Sequence, residues 1–477
     1  MVLNPRVKID IQDNITLTQP GGPAIIALMG TAQWGALDEL QTFSSFSQLL
    51  DYYKEDKSGL TLIKGADLAY ANGAVTIKAI RVADGDEVKA TKALDGNAGA
   101  EVGVLTFDGK YYGTYGNNIL VTVTVQGSGR IVEVTDGIST ERYTNNSAAN
   151  GYTTNASIAT AINAGSNLVS VTVKSGSETS NLVDAASDQA LISGDDGHDS
   201  LIASDFTTAF DNFLDNELWD LLIIPGGDSL EAEDSFQTTM LGKVNTRASS
   251  NKKYGMYLSG IIKDETISTM QARTASGDRL VLCAPSVKYI PRYSGASESI
   301  FNGSYLACAL AGKIASADVE ISPTRKILTV EGLSVLESSG KEYYNYGEIE
   351  QILEQGIIPV SKIEGSLKVA RGVTRVGDAD DIDFEINIVR IKDYLRKQTQ
   401  EKLDGFLGDP NLERVRKVMA LEVDGLLQQD VLDEVIVAYE PTEVAVGSSP
   451  DTVLVNMTVQ PTFAINFINV TIAVSRL

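Results

Sequence analysis

Residues Ala307-Cys-Ala-Leu-Ala-Gly-Lys-Ile-Ala-Ser-Ala-Asp-Val-Glu-Ile-Ser-Pro-Thr-Arg-Lys-Ile327 decide how the rest of the chain is read. Small residues and Leu favour a helix, expected over 302–316, and it runs into Ser322-Pro-Thr-Arg-Lys326, where the proline stops it. Upstream of this joint the chain alternates. A strand over 218–224 ends at Pro225-Gly226-Gly227, followed by a helix over 230–247, a strand over 255–258, a helix over 264–273 and a strand over 279–283. The same rhythm holds near the N-terminus. Residues 24–29 form a short apolar strand, and Ser45 with Gln48 forms a capping box before a helix whose Phe46, Leu49, Leu50 and Tyr53 share one face. A second helix over 62–71 and a strand over 75–82 follow. Alternation of this kind predicts an α/β domain, residues 21–82 and 203–355, with a mainly parallel sheet covered by helices on both faces.

Residues 83–202 differ in character. Asp-Gly pairs begin at Asp84, Asp95, Asp108 and Asp136, close to hairpin spacing, and strands are expected over 102–107, 119–126 and 168–174. Between Asp84 and Ser200 there are 15 acidic and 6 basic residues. This reads as a β-rich, acidic, outward-facing domain inserted into the α/β domain.

An α+β domain is expected over 356–452. Residues 383–391 alternate as a strand running into a charged helix through Lys402, and Asp409 caps a helix with Pro410 at its first position. A strand is expected over 431–439. Residues 453–460 and 463–474 close the chain as β-type runs broken by Gln460-Pro461, so 453–477 reads as a terminal strand arm. Its candidate pairing residues are Val455, Met457, Val459, Ile465, Phe467, Val470 and Ile472. Residues 1–20 read as a second arm, in which Val7, Ile9 and Ile11 alternate with polar residues before the breaker Pro20-Gly21-Gly22-Pro23. A strand cut off from its own domain must find an edge elsewhere. Fully extended, such an arm reaches roughly 66 Å, enough to touch a neighbour.

Composition narrows the function. The 477 residues are 43% hydrophobic with a formal net charge of −24, which disfavours a sequence-independent grip on nucleic acid or on an anionic membrane. Cys283 and Cys308 form no CxxC pair, so neither a disulfide framework nor a zinc site is implied. The opening Met1-Val-Leu-Asn-Pro-Arg-Val-Lys8 lacks the apolar core of a signal peptide, and no run approaches the ~18 apolar residues of a membrane-spanning helix.

Catalytic and ligand motifs fail on inspection. The single histidine, His198, sits in Gly194-Asp-Asp-Gly-His-Asp-Ser200 and reads as a solvated turn, because a triad needs side chains converging from separate positions. No Gly-x-Ser-x-Gly elbow occurs. Gly127-Ser-Gly129 starts a dinucleotide fingerprint that Val132 breaks. Pro225-Gly-Gly-Asp228 lies between strand and helix, where α/β proteins bind ligands, yet a glycine turn with an Asp cap explains it. Asp378, Asp380, Asp381 and Asp383 lack the spacing of a calcium loop. No enzyme, cofactor or metal is expected.

Several segments together resemble the tail sheath family of contractile phage and bacteriocin tails. Pro23-Ala-Ile-Ile-Ala-Leu-Met-Gly-Thr-Ala-Gln-Trp-Gly35 resembles the family's opening, and 307–327 resembles the joint of its central domain. Residues 348–358 and Val369-Ala-Arg-Gly-Val-Thr-Arg375 resemble the start of its C-terminal domain, and 388–406 its inner helix. The insertion matches nothing, as expected of the family's variable outer part. The length resembles Gram-positive phage, prophage or bacteriocin sheaths.

The resemblance implies a structural subunit that polymerises with itself as stacked hexameric rings around a tail tube protein, with baseplate and tail-terminator proteins at the ends. It implies synthesis in a bacterial cytoplasm and a place in a virion or a released tail-like particle. Both arms would add strands to neighbouring C-terminal domains. The inner helix would face the tube, giving Lys392, Arg396 and Lys397 an acidic partner. The alternative reading is a surface-binding module, its β insertion recognising glycan or cell wall, which has no need of strand arms at both ends.

Overall fold

The computed structural model describes residues 24–54, 59–96, 99–145, 151–226, 230–293, 297–376 and 381–466. Its centre is an eight-stranded sheet. The strands are β1 (Ile25–Gly30), β2 (Gln41–Phe43), β3 (Thr76–Arg81), β4 (Leu221–Ile223), β5 (Met256–Gly260), β6 (Leu280–Ala284), β7 (Ile357–Ile363) and β8 (Ser366–Val369). They lie in the order β8-β7-β6-β5-β4-β1-β3-β2. The six inner strands run parallel, and an antiparallel partner closes each edge, so the sheet is mixed.

The apolar runs explain the layering. Strand side chains alternate between faces, so Ile26 and Leu28 of β1 enter one core while Ala27 and Met29 enter the other. On the first face lie α1 (Phe46–Tyr53), α2 (Leu62–Ala71) and α3 (Gly303–Ala315). On the second lie Phe206, Phe236, Met240, Met270 and Ile352 from four further helices. Helix α3 is buried at every position except Lys313. Its small residues allow that depth: a Cβ on Gly312 would stand 2.1 Å from the Ala69 carbonyl oxygen of α2. Beyond α3, residues 325–328 run beside β8, with Arg325 N donating to Val369 O (2.9 Å) and Leu328 N to Leu367 O (3.0 Å). The joint thus covers one edge of the sheet.

Residues 91–190 hold seven antiparallel strands in two sheets, of three and four strands, which share a core with the helix Asn155–Gly165. Fully buried Arg81, at the end of β3, fixes this unit by donating to the carbonyls of Gly35 (3.0 Å), Tyr112 (2.7 Å) and Asp196 (3.3 Å). Trp34 inserts between Tyr111 and Tyr115 in its core. Of the Asp-Gly pairs, Asp136-Gly137 turns between two paired strands, whereas Asp108-Gly109 lies inside the strand Glu101–Gly109. The fingerprint-like Gly127-Ser128 is a tight hairpin turn, with Gly127 at φ 59°.

The C-terminal region departs furthest from expectation. Residues 383–391 are not a strand: a short turn, Ile382–Phe384, leads into α4 (Ile386–Asp404). Every residue from 386 to 391 is buried, which hides the helical period. The boundary expected at 356 falls inside the central sheet, because Ile357 pairs with Leu282. Pro410 precedes α5 (Glu413–Leu432) rather than opening it, and the helix continues through the expected start of a strand at 431. Four short strands follow: β9 (Ile436–Tyr439), β10 (Glu443–Val446), β11 (Val453–Asn456) and β12 (Val459–Pro461). They form two hairpin-like pairs, β9 with β12 and β10 with β11. Residues 462–466 carry no strand. Val7, Ile9, Ile11, Phe467, Val470 and Ile472 lie outside the described residues.

Candidate assembly site at the C-terminal joint

Buried polar groups need partners, and the donors of Asn387 and Arg390 on the first turns of α4 find them off the helix, while Asn387 Oδ1 has none. Asn387 Nδ2 donates to Glu320 O (3.3 Å) and Thr462 O (3.2 Å). Arg390 donates to Asp318 O (3.0 Å) and Ala317 O (2.9 Å), carbonyls just beyond the C-terminal end of α3, where a cation is favoured. Burial pulls this guanidinium down to about 10, while Asp220, Glu320 and Asp318 oppose the fall. Asp393 receives both terminal nitrogens of Arg279, each at 2.6 Å. Burial works against the Arg279 charge, but the paired Asp393 outweighs it and raises the pKa. The quoted joint is therefore the seat of α4.

Beyond α4 the surface becomes open and apolar. Burial alternates along β11 and β12: Val453, Val455, Met457 and Val459 are partly buried, while Leu454, Asn456, Thr458 and Gln460 are exposed. Of these, Val455, Met457 and Val459 pack on the core formed by residues including Ile388, Ile391, Leu395, Val423 and Leu427. Val455 pairs with Val444 and Val459 with Tyr439. The side chains of Val455, Met457 and Val459, expected to serve neighbours, thus fill the chain's own core, because the chain doubles back and supplies its own partner strands. Among the described residues neither pair has a third strand. Two-stranded sheets are marginal alone. Around them Val437, Val446, Leu454, Phe463 and Ile465 are exposed, Ile465 to 81%.

Residues 380–475 match the family model described as the phage tail sheath C-terminal domain. Over this stretch the chain is similar to a phage tail sheath C-terminal domain. Over 292 residues it is 24% identical to the tail sheath protein of Mycobacterium phage Bxz1, an alignment covering 57% of this chain and 46% of that protein. The chain thus spans about half the length of that relative. Its fold is similar to the sheath tail protein of Desulfitobacterium hafniense, at 16% identity and TM-score 0.69 over 96% of this chain and 97% of that one. It is similar also to the sheath tail protein of Listeria innocua, at 18% and 0.69 over 94% of each. The contracted helical sheath of the anti-feeding prophage shares the fold at 10% and 0.53 over 99% of each. The sheath resemblance read from the residues is borne out.

Within this region, the basic stripe expected to face the tube has partners in its own chain. Lys392 bridges both oxygens of Asp383 (2.7 and 2.6 Å). Arg396 pairs with Asp393 at 3.2 Å and lies 5.2 Å from the Tyr254 ring centroid, and Lys397 pairs with Asp220. Two of the partners are near in sequence, Asp383 and Asp393, and one, Asp220, is distant, so each of these cations already faces a carboxylate of its own chain.

The other candidates resolve into structure. Asp381 caps the short turn before α4, accepting from Asp383 N at 2.9 Å; Asp378 and Asp380 lie outside the described residues. Gly226 N donates to Ser304 Oγ (2.9 Å), closing the turn after β4. His198 is not a solvated turn residue: its side chain is 25% exposed, beside Gly59, and its Nε2 lies 3.5 Å from Asp199 Oδ1. Among the described residues no group of three or more His, Cys, Asp and Glu is placed to hold a metal. No described helix is long and apolar enough to cross a membrane.

Sequence reading missed Asn387, Arg390 and Asp393 as the seat of the sheath domain. Their spacing of three is a helical signal that a strand assignment over 383–391 concealed.

Proposed function

We propose that this chain is the repeating subunit of a contractile tail sheath: copies stack as hexameric rings around a tail tube and shorten to drive it through a target envelope. The observation that carries the reading is the match of residues 380–475 to the phage tail sheath C-terminal domain, whose described residues include two two-stranded sheets. Terminal strands from neighbouring subunits would complete them by β-augmentation, knitting a mesh. Head-to-tail contacts that do not close generate a helix. The extended sleeve would be held by a barrier while subunits rotate into a second packing. The partners are further copies of the chain, a tube protein, and baseplate and terminator proteins. The subunit acts mechanically, without a cofactor, nucleic acid or membrane insertion, and is made in a bacterial cytoplasm for a virion or released particle.

Negative-stain electron microscopy over a concentration series, with and without the co-expressed tube protein, tests this. Hollow helical tubes or stacked rings are expected. A chain lacking residues 1–20 is expected to fold yet remain single particles. Uniform small particles from the full chain in both conditions would overturn the reading and favour a surface-binding module.

A further inference from the structure

Both described ends of the chain are tied to one helix. At the N-terminal end, Ala24 N donates to Ala315 O (3.0 Å) and Ile25 N to Asp220 Oδ2 (2.8 Å), while the other oxygen of Asp220 pairs with Lys397 of α4. Burial alone would push the Asp220 carboxyl up, but Lys397, the Ile25 amide and Arg390 together hold it below the usual carboxylate range. At the C-terminal end, Thr462 O accepts from Asn387, and Asn466 Nδ2 donates to Glu385 Oε1 (2.9 Å) at the N-cap of α4. Between these two attachments, Arg390 grips the end of α3 and Asp393 grips Arg279 beside β6.

Past Lys397 the helix changes character. Residues 398–404 are half-buried or exposed. The ion pair there, Lys402 with Glu422, is 42% exposed on both sides. The contact with α5 includes Asp430, which is 1% exposed and whose Oδ2 has no hydrogen-bond partner. A bidentate buried pair holds its geometry far better than an exposed one.

We propose that Arg390 and Asp393 are positioning residues, fixing the first three turns of α4 to the central sheet so that both terminal segments leave one rigid body. The flexible division of the subunit then falls inside α4 beyond Lys397, and not between the central sheet and the sheath domain. A pull on the N-terminal segment reaches the sheet through β1 itself, and one on the C-terminal segment reaches it through the first turns of α4. The mechanical meaning rests on the sheath reading; the rigid-body division does not.

Hydrogen exchange read by mass spectrometry on the full chain tests this, because cooperative units open together. Amides 390–397 are expected to be protected like those of β5 and β6, with 399–432 exchanging at least tenfold faster. Arg390→Ala is expected to speed exchange in 390–397 and in β1 together, leaving strands 101–109 and 129–135 at the wild-type rate. Arg390→Lys should restore part of that protection, and Arg390→Ala should raise the protein concentration needed for sleeves. Exchange of 390–397 in step with 399–432, faster than the sheet, would overturn the proposal. Should Arg390→Ala fail to fold, the wild-type pattern alone decides. A wild-type chain that forms no sleeves would remove the sheath reading and leave the exchange result standing.

Discussion

Arg279 and Asp393 are 114 positions apart in sequence and meet as a fork on a fork, both nitrogen–oxygen distances at 2.6 Å, with 6% and 9% of their side chains exposed. Arg279 also donates to Gly255 O at 2.9 Å, so the contact links the strands of the central sheet to the helix of the sheath domain.

Removing one member of that pair leaves the other charge buried. Asp393→Ala is expected to cost about 3–5 kcal/mol, whereas Arg279→Met with Asp393→Leu should recover most of that loss. Urea unfolding of the wild type and the two variants checks this; equal loss in the single and double variants would contradict it.

Gly312 tests how closely α2 and α3 are packed. An added Cβ meets the Ala69 carbonyl oxygen at 2.1 Å and its carbon at 2.9 Å, both backbone atoms. Gly312→Ala is therefore expected to cost about 1–3 kcal/mol, outweighing a gain in helix propensity of up to ~1 kcal/mol. On α5 nothing stands within 4 Å of a Cβ on Gly425, so Gly425→Ala should stabilise the chain. Melting curves of the two variants are expected to move in opposite directions.

Asp430 makes the α4–α5 contact pH-sensitive. Burial raises its carboxyl to about 6; Gln398 and the Tyr394 hydroxyl, 3.4 Å away, moderate the rise, and Asp433 adds to it. A raised carboxyl pKa favours the neutral form in the fold. The contribution is thus full below about pH 4 and is lost as pH climbs through about 6. Asp430→Asn is expected to stabilise the chain at pH 8 by up to about 3 kcal/mol and to change little at pH 4. Asp136, Asp220 and Asp234, held below the usual range, work in the opposite sense. Only the difference between variant and wild type across pH isolates Asp430; a constant difference would contradict it.

Charge reversal of the basic stripe separates a structural role from a docking one. Because Lys392, Arg396 and Lys397 face Asp383, Asp393 and Asp220, Lys397→Glu should lower the melting temperature of the isolated chain. The triple reversal should impair polymerisation with and without a tube. Unchanged melting with loss confined to assembly on the tube would return the stripe to tube docking.

Much of the fold was legible because its signals are local. The expected helix over 62–71 coincides with α2, and the strand over 279–283 is β6 displaced by one residue. The Ser45–Gln48 box forms on one side, Ser45 Oγ accepting from Gln48 N, while Gln48 reaches back to Ser44 instead. The joint resisted reading for a physical reason. In Ile386-Asn-Ile-Val-Arg-Ile391 all residues are buried, so no polar face marks the helix, and the donors of Asn387 and Arg390 go to carbonyls of Glu320, Thr462, Ala317 and Asp318, distant in sequence. The helix Asn155–Gly165 was also missed, although Ile158 and Ile162 repeat at four. The Asp220 partner of Lys397 was invisible for the same reason as the partners of the joint.

Residues 325–328 lie along β8, and β2 at the far side is three residues long. An uncovered margin on a sheet this wide would be a template for indiscriminate strand capture and would seed amorphous precipitate during synthesis. Shielding one side and shortening the other makes the large sheet inert toward copies of itself. Under the proposed function, association would fall to the four short strands after α5, where the order and number of contacts can be counted rather than left to run on.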